Sequence, residues 1–218
     1  MNEIKIIQKL KKMPLFTMKD FRKIIRTTYA KKHLERFIKK EYVFRIQKNK
    51  YTVHKDPLLI APWIYHNSYI GSYSALQYHG LITQLPQNII CITGSPKKKI
   101  KIFDTEVVYK HSKYIFGYEM EKRAGIKIPI SLPEKAVIDS INIIPLHITL
   151  ENIEEINKEL LWEMAKKMPR YTQRRIAYII YKTWKIKKTV KKGRIIYLDP
   201  LKNKKGKLNK KYNIIDNM

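Results

Sequence analysis

Asp104 and Glu106 stand two residues apart on a stretch that reads as a strand, so both carboxylates would project from one face. Metal-dependent nucleases hold a divalent cation with such a pair. The supporting lysine two residues beyond Glu106 is missing, because position 108 is Val, and a solvated hairpin is the expectation. His66, His79 and the single Cys91 fall in the apolar middle, at spacings that match no zinc or nucleophile–base signature. His79 precedes Gly80, where a structural hydrogen bond is its commoner job. Glu134 follows Ser131 by three residues, as in a capping box. One Cys excludes a disulfide framework and a Cys-based zinc finger, and 7 Gly leave no phosphate-cradling loop. The chain therefore reads as no enzyme, with no cofactor and no metal.

The chemistry that residue counts do favour is neutralisation of a polyanion. In 218 residues, 46 Lys and Arg face 18 acids, a net charge of +28. Residues 1–55 hold 17 cations against 4 acids, residues 56–165 hold 11 against 12, and residues 166–218 hold 18 against 2. A general Lys bias would have spread through the middle as well. Two basic ends around a near-neutral centre point to nucleic acid first and an anionic membrane surface second. The uncharged stretch Pro57–Pro96 fails as a membrane span, because Pro62, His66, Asn67, Gln77 and His79 interrupt it. Lysines interrupt residues 1–13 in the same way, so no signal-type apolar core is seen and a cytoplasmic location is expected.

Residues 3–12 carry Ile4, Ile7 and Leu10 at helical spacing, and Pro14 ends that helix. Thr17 suits the N-cap of a second helix over Met18–Ile25. Thr27 and Thr28 break the chain before a third, from about Tyr29 to Lys40, with Ala30, Leu34, Phe37 and Ile38 inward. That leaves Tyr29, Lys31, Lys32, Glu35, Arg36 and Lys39 outward. Tyr42–Ile46 and Lys50–Val53 alternate around Gln47-Lys48-Asn49, the pattern of a hairpin. Three short helices and a hairpin give the order of a winged helix-turn-helix, which places a helix in the major groove and the hairpin on a neighbouring backbone. The expected groove cations are Lys31, Lys32 and Arg36, and the hairpin contacts Arg45, Lys48 and Lys50. Thr27, Thr28 and Tyr29 would meet phosphates at the helix start.

Lys55-Asp56-Pro57 marks the expected boundary. The fold class is α+β: a winged helix-turn-helix over residues 1–55, then a larger mixed α/β domain over 56–218. In the second domain, helices are expected over Tyr73–His79 (capped by Ser72 or Ser74), Lys135–Ile141, Glu151–Met168 and Tyr171–Trp184. Strands are expected over Asn88–Thr93, Ile100–Phe103, Glu106–Lys110, Ile195–Leu198 and Tyr212–Ile215. Arg170, Arg174, Arg175 and Lys182 on the basic helix form a candidate second nucleic-acid surface. Its aromatic residues Tyr171, Tyr178, Tyr181 and Trp184 fit the core better than base stacking.

The runs Ser74-Ala75-Leu76-Gln77-Tyr78-His79-Gly80-Leu81 and Leu132-Pro133-Glu134-Lys135-Ala136-Val137-Ile138-Asp139 are joined by an ending with Leu198-Asp199-Pro200, Gly206, Asn209, Tyr212 and Asn217. Together they resemble the AbiEi antitoxin family, winged-helix proteins paired with nucleotidyltransferase-like toxins in type IV toxin–antitoxin systems. The resemblance runs along nearly the whole chain. It implies an autoregulating DNA-binding domain, a carboxy-terminal domain that neutralises a toxin, cooperative binding to inverted repeats, and ordered strands in place of a loose basic tail. The Lys-rich ending departs from the family pattern. The leading expectation is a sequence-specific regulator of double-stranded operator DNA, an antitoxin with a nucleotidyltransferase-like toxin as partner. A nuclease built on Asp104, Glu106 and Glu134, or a structured-RNA-binding factor, are the alternatives.

Overall fold

The structure is a computed structural model and describes residues 3–84, 87–202 and 204–218. The first three helices are α1 (Glu3–Leu10), α2 (Met18–Ile25) and α3 (Ala30–Lys39), followed by the antiparallel hairpin β1 (Phe44–Gln47) and β2 (Lys50–Thr52). Thr17 caps α2 as its sequence suggests: Thr17 Oγ1 accepts from the Asp20 amide, and the Asp20 carboxylate accepts from the Thr17 amide at 2.9 Å. Phe16 pairs with Tyr51 through two 2.9 Å backbone bonds, tying the α1–α2 connection to the hairpin. Ile6, Leu10, Phe16, Phe21, Ala30, Leu34, Phe37 and Val43 bury together as a core of their own. Asn49 takes the left-handed turn conformation at φ +58°, and its side chain accepts from the Met18 amide at 3.0 Å.

Asp56 then caps α4 (Pro57–Ile64), its carboxylate accepting from the Leu58 amide. The chain continues through β3 (Ser68–Ile70), α5 (Ser72–Tyr78), β4 (Asn88–Thr93), β5 (Ile100–Ile102), β6 (Thr105–His111), β7 (Tyr118–Arg123) and β8 (Ile126–Ser131). These strands make one mixed sheet in the order β5-β6-β4-β3-β8-β7, with β4 parallel to β6 and β3 parallel to β8. Helices α6 (Pro133–Ser140), α7 (Leu146–Thr149), α8 (Lys158–Lys166) and α9 (Arg170–Trp184) follow. The end is a small sheet of β9 (Ile196–Tyr197), β10 (Lys207–Asn209) and β11 (Ile214–Asp216), in the order β10-β11-β9. The second core begins at Leu59 and ends at Ile214. The architecture is mixed α and β.

Several local expectations change. The single helix over Glu151–Met168 is a 3-10 turn at Ile153–Glu155 followed by α8, because Asn157 starts a new helix by accepting from the Glu159 and Leu160 amides. Ser131 does not cap α6: it belongs to β8, and Leu132 holds the N-cap without a side-chain bond. Glu134 accepts instead from the Asn157 amide at 2.9 Å and so locks α6 to α8. Neither Ser72 nor Ser74 caps α5, where Gly71 is the N-cap residue. A Cβ on Gly71 would lie 2.5 Å from Ile92, so packing demands glycine there.

Candidate nucleic-acid interface

The buried positions of α3 are Ala30, Leu34 and Phe37. Their spacing turns the opposite face to solvent, and Thr28, Lys32, Glu35 and Lys39 recur along it at three- and four-residue steps, all exposed. Lys31 is exposed on the hairpin side of this stripe. Between α3, the start of α2 and the hairpin lies a groove of about 280 Å³, lined among others by Arg22, Lys31, Glu35, Arg45 and Tyr51. Arg45 and Lys48 are exposed. Tyr29 is exposed, with the Lys32 ammonium 5.8 Å from its ring centroid, and the Thr27 hydroxyl accepts from the Tyr29 amide at 3.3 Å. So Thr28, Tyr29, Lys31, Lys32, Arg45 and Lys48 are all exposed and Thr27 is half-buried; Lys31 and Arg45 line the groove, while Tyr29 and Lys32 line a second depression with His33 and Arg36.

Two expected residues have partners within the protein. Arg36 turns toward α1, where its guanidinium pairs with Glu3 at 2.8 Å beside the Lys40–Glu3 pair. Lys50 leaves the hairpin edge altogether: its ammonium donates to the Ile64 carbonyl and lies 5.2 Å from the Tyr65 ring centroid. Burial, with the charge of Lys97 nearby, holds the Lys50 pKa below the ordinary lysine range. The hairpin alternation is the cause: Arg45 and Tyr51 share the α3 side, whereas Phe44 faces Phe103 in an edge-to-face contact at 5.3 Å. Periodicity showed two faces of the hairpin, but not that the second one is covered.

The second expected surface is corrected. Arg174 and Arg175 are buried, at 4% and 7% exposure, not exposed on α9. Arg174 Nη1 donates to the Arg194 carbonyl at 2.7 Å, while Arg175 donates to the Tyr197 carbonyl and to Asn142 Oδ1. Both arginines bind the segment that follows α9 to the helix, and burial lowers their pKa values from the arginine range. Lys182 pairs with Asp216 at 2.9 Å, and Arg170 alone of the four is an exposed cation without such a role. The exposed charge has moved to residues 185–194. There Ile186 and Val190 pack on the core while Lys185, Lys187, Lys191, Lys192 and Arg194 are exposed. In the sequence the only apolar residues of this segment are Ile186 and Val190, four apart, too few to mark a face.

Of the residues considered for catalysis, Glu106 and His79 have partners within the fold. Asp104 is fully exposed in the β5–β6 turn, and Glu106 pairs with Lys99 at 2.8 Å. His79 Nε2 lies 2.7 Å from the Ser131 carbonyl. Cys91 is completely buried, which pushes its thiol pKa upward. Among the described residues no cluster of three His, Cys, Asp or Glu side chains is placed to hold a metal ion. The motif residues are latches too: the Ser74 hydroxyl accepts from the Ile90 amide at 2.8 Å. Asp199 accepts from the Leu146 and Leu201 amides and exchanges two bonds with Asn217. A Cβ on Gly206 would sit 2.3 Å from the Asp216 carbonyl oxygen.

No protein-family model matches the chain, and no curated protein sequence does. Among solved structures, the crystal structure of the RV2827C protein from Mycobacterium tuberculosis is similar with a TM-score of 0.64, over 98% of this chain and 90% of that one. The two sequences are 11% identical, so the likeness is one of fold. Among the described residues no helix is long and apolar enough to cross a membrane.

Proposed function

We propose that residues 1–55 form a winged helix-turn-helix that binds double-stranded DNA in a sequence-dependent way. The observation that carries this reading is the exposed face shared by α3 and the hairpin. A helix of this diameter fits the major groove, and the hairpin then lies against the adjacent phosphates. Lys31, Lys32 and Lys39 supply cations along the helix, Arg45 and Lys48 along the hairpin, and Thr28 a hydroxyl near the helix start. Arg36, paired with Glu3, is a flank contact in this arrangement. Fluorescence anisotropy at fixed salt, comparing a duplex from the chain's own promoter with a scrambled duplex, tests the reading. The promoter duplex binds more tightly; equal affinity removes the sequence dependence.

The finer reading is an autoregulating antitoxin, resting on the similarity to the AbiEi family along nearly the whole chain. In that reading residues 56–218 carry the toxin-neutralising surface and the partner is a nucleotidyltransferase-like toxin. A nucleotidyltransferase-like reading frame beside this gene, toxic alone and silenced by co-expression of this chain, is the expected result. Plasmid and RNA incubated with Mg²⁺ or Mn²⁺ remain uncleaved, which separates this reading from a nuclease built on Asp104 and Glu106.

A further inference from the structure

Glu35 is an acid in the middle of a face that is otherwise cationic or neutral. It lies one turn beyond Lys31 and one turn before Lys39, and it shares its groove with Arg22 and Arg45. With a Lys one turn to either side, it is placed for the i,i+4 ion pairs that stabilise exposed helices. Among the described residues none of the ion pairs involves Glu35. Of the other acids in residues 1–55, Glu3 is engaged by Arg36 and Lys40, Asp20 closes the cap of α2, and Glu41 lies beyond the end of α3. Glu35 is left as an exposed carboxylate on a helix that must approach a polyphosphate.

A carboxylate repels phosphates, so its place on this face requires a compensating contact that only some sequences provide. The major groove offers amino donors at cytosine N4 and adenine N6, whereas guanine presents two acceptors and thymine an acceptor with a methyl group. A carboxylate only accepts. Against adenine its second oxygen would face the N7 acceptor, against guanine both oxygens would face acceptors, and cytosine alone presents a donor with no purine N7 beside it. We infer that Glu35 reads a cytosine by accepting a hydrogen bond from its N4 amino group, and that it rejects guanine and thymine at that position by repulsion. Lys31 and Lys32, one turn earlier, are placed to meet the O6 and N7 of guanine in neighbouring pairs. This inference rests on the duplex-DNA reading of the α3 face.

The test is selection by the full chain from a randomised duplex library, run in parallel with the Glu35→Gln and Glu35→Ala variants. Glu35 is exposed, so both variants keep the wild-type melting profile by circular dichroism. The wild-type motif contains one fixed cytosine. Glu35→Gln shifts that position toward adenine, which glutamine contacts at N6 and N7, and leaves the rest of the motif unchanged. Glu35→Ala loses the preference there. In the selected duplex, replacing that cytosine by 2-pyrimidinone, which lacks the amino group, weakens wild-type binding roughly tenfold, about 1.4 kcal/mol, and Glu35→Ala binding far less. Identical motifs from wild type and both variants overturn the role of Glu35 while leaving duplex recognition standing. Failure of the wild type to bind any duplex overturns the parent reading and this one with it.

Discussion

The ammonium of Lys135 is completely buried, held by Asp139 and by the Tyr69 hydroxyl at 2.9 Å, with the Phe116 ring centroid 5.1 Å away. Burial pushes the Asp139 carboxyl above its ordinary pKa, while the bonds from Lys135 and Tyr69 pull it back. Removing one partner of such a pair strands the other in a dry site. Lys135→Met therefore costs about 3–5 kcal/mol, whereas Lys135→Met with Asp139→Leu recovers most of the loss, both read by urea unfolding. The sequence gives no warning of this pair, because a Lys and an Asp four residues apart read as an exposed helical ion pair. Arg174 and Arg175 mislead in the same direction: a basic residue is presumed exposed until tertiary contacts offer it buried carbonyls. Lys31 and Lys32 were legible because the stripe opposite them, Ala30, Leu34 and Phe37, is apolar at helical spacing. On the proposed reading that α3 enters the major groove, Lys32→Ala weakens duplex binding by about 1–3 kcal/mol in anisotropy titrations.

Among the elements, a closed end and legibility do not coincide: α4, capped by Asp56, was not expected, while α5, α6 and α9 were expected and carry no side-chain cap. Helix α2 is bounded by Thr17 and Asp20, and its Asp20 carboxyl is held below the usual carboxylate pKa chiefly by the hydrogen bonds from Thr17. A depressed folded-state value contributes stability above the unfolded value of 3.8, and that contribution disappears as pH falls through the lower folded value. Thr17→Ala accordingly costs about 1 kcal/mol at neutral pH and less once Asp20 is protonated in both states, because only the bond that Thr17 accepts from the Asp20 amide then remains to be lost, as paired urea titrations would record. Strands β3, β7 and β8 escaped prediction for different reasons. The outer strand β7, Tyr-Glu-Met-Glu-Lys-Arg, is polar because it lies at the sheet edge, while β8 carries Pro129 and is buried at every position but Lys127. No apolar face marks β7, whereas β8 does alternate, with Ile at 126, 128 and 130, and it is Pro129 between them that argues against a strand inside a sheet. The segment 185–194 owes its order to Arg174 and to Asn213, which donates to the Gly193 carbonyl at 2.9 Å. Arg174→Ala releases that segment, and limited trypsin digestion then cuts first within Lys187–Arg194.

At the level of the molecule, the distribution of charge outlives the errors of detail. The chain carries +28, concentrated before residue 56 and after residue 165, and the fold gives the two concentrations different supports: α3 and the hairpin in one, the segment latched by Arg174 in the other. If both contact phosphates, the salt dependence of duplex binding must report both. Each phosphate contact adds about 0.9 to the slope of log K against log salt on B-DNA. Arg45→Ala with Lys48→Ala then lowers the slope by roughly two units, and Lys187→Gln with Lys191→Gln and Lys192→Gln by up to about three. Lys50→Ala leaves the slope unchanged, because its ammonium already serves the Ile64 carbonyl. Lys122→Gln with Lys127→Gln, an exposed cross-strand pair in the near-neutral middle, likewise changes nothing. A slope that responds to the hairpin but not to the 187–192 substitutions would confine phosphate contact to the first 55 residues and leave the second basic concentration to an acidic protein partner.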